Sequence, residues 1–321
     1  MKLAIMGSGG VGGYFGGRLA AKGYDVTFIA RGRHLDAIRR DGLRIESANG
    51  DVHIHPAKAT DTPADIGPVD YVFFTTKLWD TDLGGEAIRP LMNADSAVIS
   101  LQNGIDAEER LTMILGREHV MGGVAQIASV IAAPGVIRHT GTMARIVLGE
   151  LDGSRTTRAE SLLAALHDAG IDAEIVDNIV IAIWQKFVFL VALSGVTSVA
   201  RQPLGPLQKD PDTRALLATI MEETVAVARA KGIDIDPAYV NDRLVFLDKL
   251  PANMTSSMHQ DLQRGNRLEL DWLSGAVVRM GKEVGIDTPA NAFIYVALKL
   301  SAIEKQTSGS TQNSENDAKF D

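Results

Sequence analysis

The chain has 321 residues, no cysteine and a formal net charge of −8 at pH 7. That length suggests two domains, each able to bury a core without metal or disulfide staples. The missing cysteines exclude disulfides, thiolate metal sites and cysteine nucleophiles and are compatible with a reducing cytoplasm, while the acidic balance argues against a general nucleic-acid or anionic-membrane partner.

In chain order, Leu3-Ala4-Ile5-Met6 reads as a buried strand that enters Gly7-Ser8-Gly9-Gly10-Val11-Gly12-Gly13 and then a helix from Tyr14 to Lys22. The apolar run is too short for a signal peptide. Gly7, Gly9 and Gly12 have the spacing of a dinucleotide fingerprint: the first makes a tight turn, the second lets a pyrophosphate approach the backbone, and the third lets helix pack on strand. A plain glycine-rich turn would contain the same residues. The early position, the β-rich run before it and the helical spacing of Val11, Phe15, Leu19 and Ala20 favour the dinucleotide, so Gly7 to Gly12, including Ser8, Gly10 and Val11, are candidate cofactor ligands.

Asp25 to Ala30 reads as the second strand of a βαβ unit. An NAD site would place Asp or Glu near its end to bind the ribose hydroxyls, but here the chain runs Ala30-Arg31-Gly32-Arg33. A guanidinium fork suits a phosphate, so Arg31, assisted by Arg33, points to the 2′-phosphate of NADP and away from NAD and FAD; the alternative is a solvated surface arginine. Leu43 to Ser47 and Asp51 to His55 alternate around Asn49-Gly50 as a hairpin. His53 and His55 lie on its polar side without a carboxylate or cysteine set, so no metal is expected there.

Val69 to Thr75 and Ala97 to Ser100 read as buried parallel strands that deliver Thr76-Lys77 and Gln102-Asn103-Gly104 to the edge where such sheets bind ligands. Asn103 offers a donor and an acceptor to a nicotinamide ribose or a substrate carboxylate, although an ordinary turn explains Asn103-Gly104 equally well. Val120 to Ile127, Val136 to His139 and Arg145 to Leu148 read as three further strands, with a turn at Pro134-Gly135, followed by a helix from Arg158 to Ala169 and a last strand from Asp172 to Val176.

Beyond Asp177-Asn178 the pattern is helical almost throughout. The expected architecture is therefore an α/β, Rossmann-type doubly wound sheet over 1–177, an all-helical domain over 178–305 and a polar flexible tail over 306–321. Ile179 to about Ser198 is apolar except for Lys186 and a few polar groups, short of the roughly 18 uninterrupted apolar residues of a membrane span. Burying an ammonium is costly and pushes it towards proton donation, whereas a lysine whose head reaches water is the ordinary alternative. Helices are expected from Asp212 to Lys231 and, as one long element, from about Asn266 to Gly285. By residue type alone Ser257 reads as a helix cap and Glu269 as part of a solvated helix face.

Together with the glycine loop and Arg31, the segments Thr76-Lys77, Gln102-Asn103-Gly104, Trp184-Gln185-Lys186 and Ser256-Ser257-Met258-His259-Gln260-Asp261 resemble the ketopantoate reductase (2-dehydropantoate 2-reductase) family. Ser257 followed by Glu269-Leu270-Asp271, Gly275 and Gly285-Ile286-Asp287-Thr288-Pro289 is similar to the family's second-domain signature. The resemblance implies an NADPH/NADP+-dependent reduction of a 2-oxo acid to a 2-hydroxy acid in a cleft between two domains, with ketopantoate, a precursor in pantothenate biosynthesis, as the leading substrate. It further implies Lys186 as proton donor, Asn103 between cofactor and substrate, Lys77 and Ala128 along the cofactor, Ser257 on the substrate, and Glu269 on cofactor or substrate hydroxyls. Where the family has an Asn one and two turns after the lysine, this chain has Leu190 and Ser194. Ser194 keeps a hydroxyl for the substrate, while Leu190 removes a polar anchor and favours a less hydroxylated 2-oxo acid. A reductase of another branched 2-oxo acid and a non-catalytic NADPH-binding sensor are the alternatives. An apolar helical second half is compatible with a homodimer.

Overall fold

The computed structural model describes residues 1–236 and 238–302; the tail expected at 306–321 lies outside them. The strands of the first half are apolar on both faces. Leu3 and Ile5 of β1 (Lys2–Met6) join one buried cluster and Ala4 and Met6 another, and β6 (Tyr71–Phe74) divides Tyr71 and Phe73 from Val72 and Phe74 in the same way. Such alternation into two cores requires a sheet covered on both sides.

Between β1 and β6 the chain forms α1 (Gly10–Lys22), β2 (Asp25–Ile29), α2 (Gly32–Asp41), the hairpin β3 (Leu43–Glu46) and β4 (Val52–Ile54), and the short β5 (Lys58–Thr60). After β6 come α3 (Thr81–Ala87), β7 (Ala97–Ser100), α4 (Ala107–Leu115), β8 (Val120–Ala133), β9 (Val136–Glu150), α5 (Thr157–Asp168) and β10 (Asp172–Ile175). The strand order is β4-β3-β9-β8-β7-β6-β1-β2-β5, with β10 beside β9. All pairs are parallel except β3/β4 and β8/β9. The doubly wound sheet expected from the sequence is present, and the chain reverses its direction of progress across the sheet at β1, with β2 on one side and β6 on the other. Ligands of such sheets bind outside the carboxyl ends of the strands at that point.

Two of the predicted elements follow a different backbone path. Val136 to His139 and Arg145 to Leu148 are not separate strands but parts of β9, a 15-residue strand antiparallel to the 14-residue β8. Gly141 takes φ 77° without ending the strand. The register instead jumps between the pairs Ile127–Ala144 and Ser129–His139, leaving Ala128 opposite 140–143, and a hydrogen bond of 2.9 Å between His139 Nε2 and the Met143 carbonyl closes the bulge. The second difference lies in the helical half.

That half contains α6 (Ile179–Ala200), α7 (Leu204–Lys209), α8 (Pro211–Ala230), α9 (Tyr239–Leu247), α10 (Ser257–Arg264), α11 (Ser274–Val284) and a helix over 289–302. The chain divides into two compact units, Met1–Ile183 and Trp184 onward, within α6. By length and composition α6 could cross a membrane, yet most of it is buried inside the fold. The single helix expected over Asn266 to Gly285 is broken: Gly265 ends α10 with φ 82°, a 3-10 turn spans Leu270–Trp272, and α11 starts only at Ser274. Leu268, Leu270, Leu273 and Val277 are buried as their spacing suggested, but Leu273 sits at φ −101°, ψ −105°, outside helical geometry. Apolar spacing identified the inward face and not the backbone path.

Candidate functional site

The loop after β1 has the geometry that its glycines suggest. Gly7 turns with φ 96°. A Cβ on Gly12 would lie 2.4 Å from Thr75 Oγ1, 2.5 Å from the Gly7 carbonyl oxygen and 2.7 Å from Ile5, so helix and strand touch where only glycine fits. A Cβ on Gly9 would meet nothing within 4 Å. Gly9 is also the N-cap of α1, which has neither a side-chain cap nor an acidic residue in its first turn. The first-turn amides, beginning with Gly10 and Val11, thus have no side-chain cap at the positive end of a 13-residue helix, which suits an anionic phosphate.

The ends of β6, β7 and β2 and the middle of β8 bring further residues to this side of the sheet. Thr75 Oγ1 donates to the Gly7 carbonyl at 2.6 Å, and Gln102 Nε2 donates to the Thr76 carbonyl at 3.0 Å and to Thr81 Oγ1 at 3.0 Å. Gln102 therefore ties the end of β7 to the end of β6 and fixes the start of the Asn103-Gly104 bend, where Gly104 has φ 89°. Lys77 follows Thr76, with its ammonium 5.7 Å from the centre of the Trp79 ring. On β8, the Ser129 carbonyl oxygen is 2.3 Å from where a Gly10 Cβ would stand. That contact sets the exposed Ala128, at its bulge, beside the glycine loop. The Ser129 hydroxyl is buried and makes no hydrogen bond. Arg31 is exposed at the N-cap of α2, directly after the carboxyl end of β2. Gly7 to Gly12, Lys77, Asn103, Ala128 and Arg31 thus lie along the carboxyl-end side of one sheet.

In the second unit, Lys186 and Leu190 are partly buried on α6, one turn apart. Ser194, one turn further, is fully buried and its Oγ makes no hydrogen bond; Ser198 Oγ is likewise unpartnered. A buried hydroxyl without a partner costs about 1–3 kcal/mol, a cost that a polar ligand would relieve. Glu269 is buried, but not on a helix: it precedes the 3-10 turn at Leu270. The solvated helix face read from its residue type is therefore incorrect. A buried carboxylate needs polar partners, and Glu269 has interactions in the structure.

Ser257 is exposed as the first residue of α10, and the cap role belongs to its neighbour. Ser256 Oγ accepts from the His259 amide at 3.0 Å. Thr197 Oγ1 gives its proton to the Leu193 carbonyl at 2.6 Å, so Ser256 Oγ donates to Thr197 Oγ1 at 3.1 Å. His259 Nδ1 donates to the Thr197 carbonyl at 2.6 Å. These bonds pin the start of α10 to α6 near Ser194. The motif Ser256-Ser257 signalled a cap; which serine takes it depends on Thr197, which no local pattern reveals.

Tyr239 was also missed. Its hydroxyl donates to the carbonyl of Gln185, the residue before Lys186, at 2.7 Å, and the Arg243 guanidinium lies 5.0 Å from the centres of both the Tyr239 and Phe246 rings. Burial outweighs the opposing pull of Arg243 and pushes the phenol up to about 12. Between pH 10 and 12 the unfolded chain loses this proton and the folded chain keeps it, so the contribution is complete below pH 10 and is lost as pH rises through 12. At pH 11 wild type is expected to lose about 1 kcal/mol more stability, relative to pH 9, than Tyr239→Phe. Urea unfolding at the two pH values checks this, and parallel losses in the two proteins would refute it. Among the described residues, no three His, Asp or Glu side chains gather as a metal site would require.

Comparison with known proteins assigns the chain to a family. A sequence profile described as "Ketopantoate reductase PanE/ApbA" matches residues 3–153, and one described as "Ketopantoate reductase PanE/ApbA C terminal" matches residues 178–302. The 2-dehydropantoate 2-reductase of Archaeoglobus fulgidus is 32% identical over 90% of this chain and 94% of its own. A solved PanE/ApbA family ketopantoate reductase from Ralstonia eutropha is 34% identical, covers 95% of this chain and 100% of its own, and superposes with a TM-score of 0.87. D-mandelate dehydrogenase, solved with NADH and anilino(oxo)acetate, has a TM-score of 0.87 at 25% identity, over 95% of this chain and 100% of its own. The chain belongs to the ketopantoate reductase family of oxidoreductases.

Proposed function

We propose that this protein is an NADPH-dependent reductase of a 2-oxo acid, with ketopantoate as the leading substrate, pantoate as product and Lys186 as proton donor. On this reading residues 1–177 bind the dinucleotide, 178–305 carry the catalytic lysine, and the enzyme works in the cytoplasm. The observation that carries it is the open N-terminus of α1 behind Gly9, bounded by Thr75 and Ser129 and followed by an arginine at the end of β2. Family membership narrows the reaction to a 2-oxo acid, and the NADH bound to D-mandelate dehydrogenase supports a nicotinamide cofactor.

Bound nicotinamide dinucleotide supplies a hydride. The remaining requirements fall on this chain. Backbone amides of the first turn of α1 bind the pyrophosphate, and Arg31 pairs with the 2′-phosphate. Asn103 orients the nicotinamide ribose or the substrate carboxylate through its paired donor and acceptor. As the carbonyl oxygen of the substrate gains negative charge, the Lys186 ammonium stabilises it and then gives up a proton. Ser194 and Ser257 contribute hydroxyls to the substrate, and Glu269 accepts from cofactor or substrate hydroxyls.

Leu190 favours a second substrate reading within the same chemistry. A partly buried leucine one turn from the lysine offers no hydrogen bond, and D-mandelate dehydrogenase binds anilino(oxo)acetate, an acid with an aromatic group. A less hydroxylated branched or aromatic 2-oxo acid is therefore the alternative to ketopantoate. Oxidation of NADPH with ketopantoate and a panel of branched and aromatic 2-oxo acids tests both. The acid with the highest kcat/KM identifies the substrate class, and absence of turnover with every acid would refute the reductase in favour of a dinucleotide-binding sensor. For the cofactor, Arg31→Asp is expected to weaken NADPH by about tenfold or more and NADH by less than about threefold. Equal losses in a binding titration would remove Arg31 from the 2′-phosphate.

A further inference from the structure

One imidazole outside the residues so far discussed joins three parts of the dinucleotide half. His34 lies in the first turn of α2, three residues after Arg31. Its Nε2 is 2.9 Å from the Ser8 carbonyl oxygen, and the Gly135 amide lies 3.0 Å from its Nδ1. An amide N–H only donates, so Nδ1 accepts, and the ring proton on Nε2 is given to Ser8. The ring is thus neutral in one defined tautomer, and its burial lowers its pKa in agreement.

Both bonds matter for the phosphate loop. The Ser8 amide and Oγ both donate to the Ile29 carbonyl, at 3.1 and 3.0 Å, so His34 takes the one main-chain polar group of Ser8 that remains. Fixing the Ser8 carbonyl fixes the Ser8–Gly9 peptide, and Gly9 is the N-cap of α1 without any side-chain cap of its own. At the other side of the ring, Gly135 is held by His34 through its amide and accepts from the Arg44 amide at 2.9 Å through its carbonyl. The turn between β8 and β9 is therefore bound both to α2 and to β3. The ring couples the phosphate loop, the helix that begins at Arg31 and the turn at the end of β8.

We infer that His34 is a positioning residue for the dinucleotide: its neutral ring holds the Ser8–Gly9 peptide so that the α1 amides meet the pyrophosphate, and keeps Arg31 at a fixed spacing from that loop. This rests on the dinucleotide reading of the glycine loop. Both ring nitrogens of His34 are taken up by backbone groups, so its loss is expected to act on cofactor affinity and not on the chemical step.

The test uses the full chain and three substitutions, with NADPH dissociation constants from fluorescence titration without substrate, and KM and kcat from initial rates. His34→Leu, which abolishes both bonds, is expected to raise the NADPH dissociation constant and KM about tenfold or more, with kcat at saturating NADPH within about twofold of wild type. His34→Gln sets an amide donor at the position of Nε2 and is expected to recover affinity to within about threefold. His34→Asn sets an acceptor at the position of Nδ1 only and recovers little. Should His34→Leu not fold, the contrast between Gln and Asn decides. Unchanged affinity in folded His34→Leu, a fall in kcat with unaltered KM, or equal losses in Gln and Asn would overturn the proposal. If wild type binds neither NADPH nor NADH, the dinucleotide reading has failed first.

Discussion

Lys186→Ala is expected to lower kcat by about 10²-fold or more while the NADPH dissociation constant stays within about twofold. The separation follows from where the residue sits. The glycine loop, Arg31 and His34 belong to elements that end before α5, whereas Lys186 lies in the second turn of α6, in the other compact unit. Truncating it removes a charge that is most useful when the carbonyl oxygen becomes anionic, an interaction of the transition state more than of the bound ground state. Lys186→Arg keeps the cation but not the readily donated proton, so it is expected to remain strongly impaired. Stopped-flow and steady-state rates with the best acid of the panel measure both variants. A loss of less than about threefold in Lys186→Ala would exclude it as the proton donor.

A second pair of substitutions separates folding from binding within one motif. Gly12→Ala places a methyl group 2.5 Å from a backbone carbonyl and 2.7 Å from Ile5, contacts that force α1 away from β1. Overpacking of this kind costs about 1–3 kcal/mol, so a lowered Tm and weakened NADPH binding are expected together. Gly9→Ala meets no atom within 4 Å and sits at φ −76°, where alanine is unstrained. It is expected to unfold within about 1 °C of wild type and yet bind NADPH about tenfold or more weakly, because the new methyl occupies the space required by the pyrophosphate. Calorimetry and fluorescence titration of both variants check the pair. Full NADPH affinity in Gly9→Ala would show that the loop is only a turn.

The contrast also explains what the sequence reveals. Gly7, Gly9 and Gly12 are legible because their spacing is contained within six residues, although only Gly7 turns with a positive φ and Gly12 is needed where α1 meets β1 and Thr75. The buried strands β1, β6 and β7 are legible because apolar runs of that length have few other uses. Loop partners set by distant chain segments are not: His34 is an ordinary helical histidine until Ser8 and Gly135 are brought to its two nitrogens. Tyr239 and Ser256 similarly gain meaning only from Gln185 and Thr197. The short β5 escaped notice because Lys58-Ala59-Thr60 has no apolar pattern, its pairing with β2 being a matter of backbone bonds at the edge. Glu269 was misread for a related reason. Its leucine neighbours repeat at helical spacing, yet they reach the core from a segment interrupted by a 3-10 turn and by the non-helical Leu273.

The parallel pairing of β3 with β9 joins Arg44 to Val136, about ninety residues apart. A ribosome adding about 5–20 residues per second needs roughly 5–18 s to supply that partner. During this interval the β3–β4 hairpin presents an open edge, and the Gly135 amide that meets His34 has not yet been made. The nascent first half is therefore exposed to edge-to-edge association until β9 emerges, and its glycine loop is completed only then, long after the glycines themselves are made.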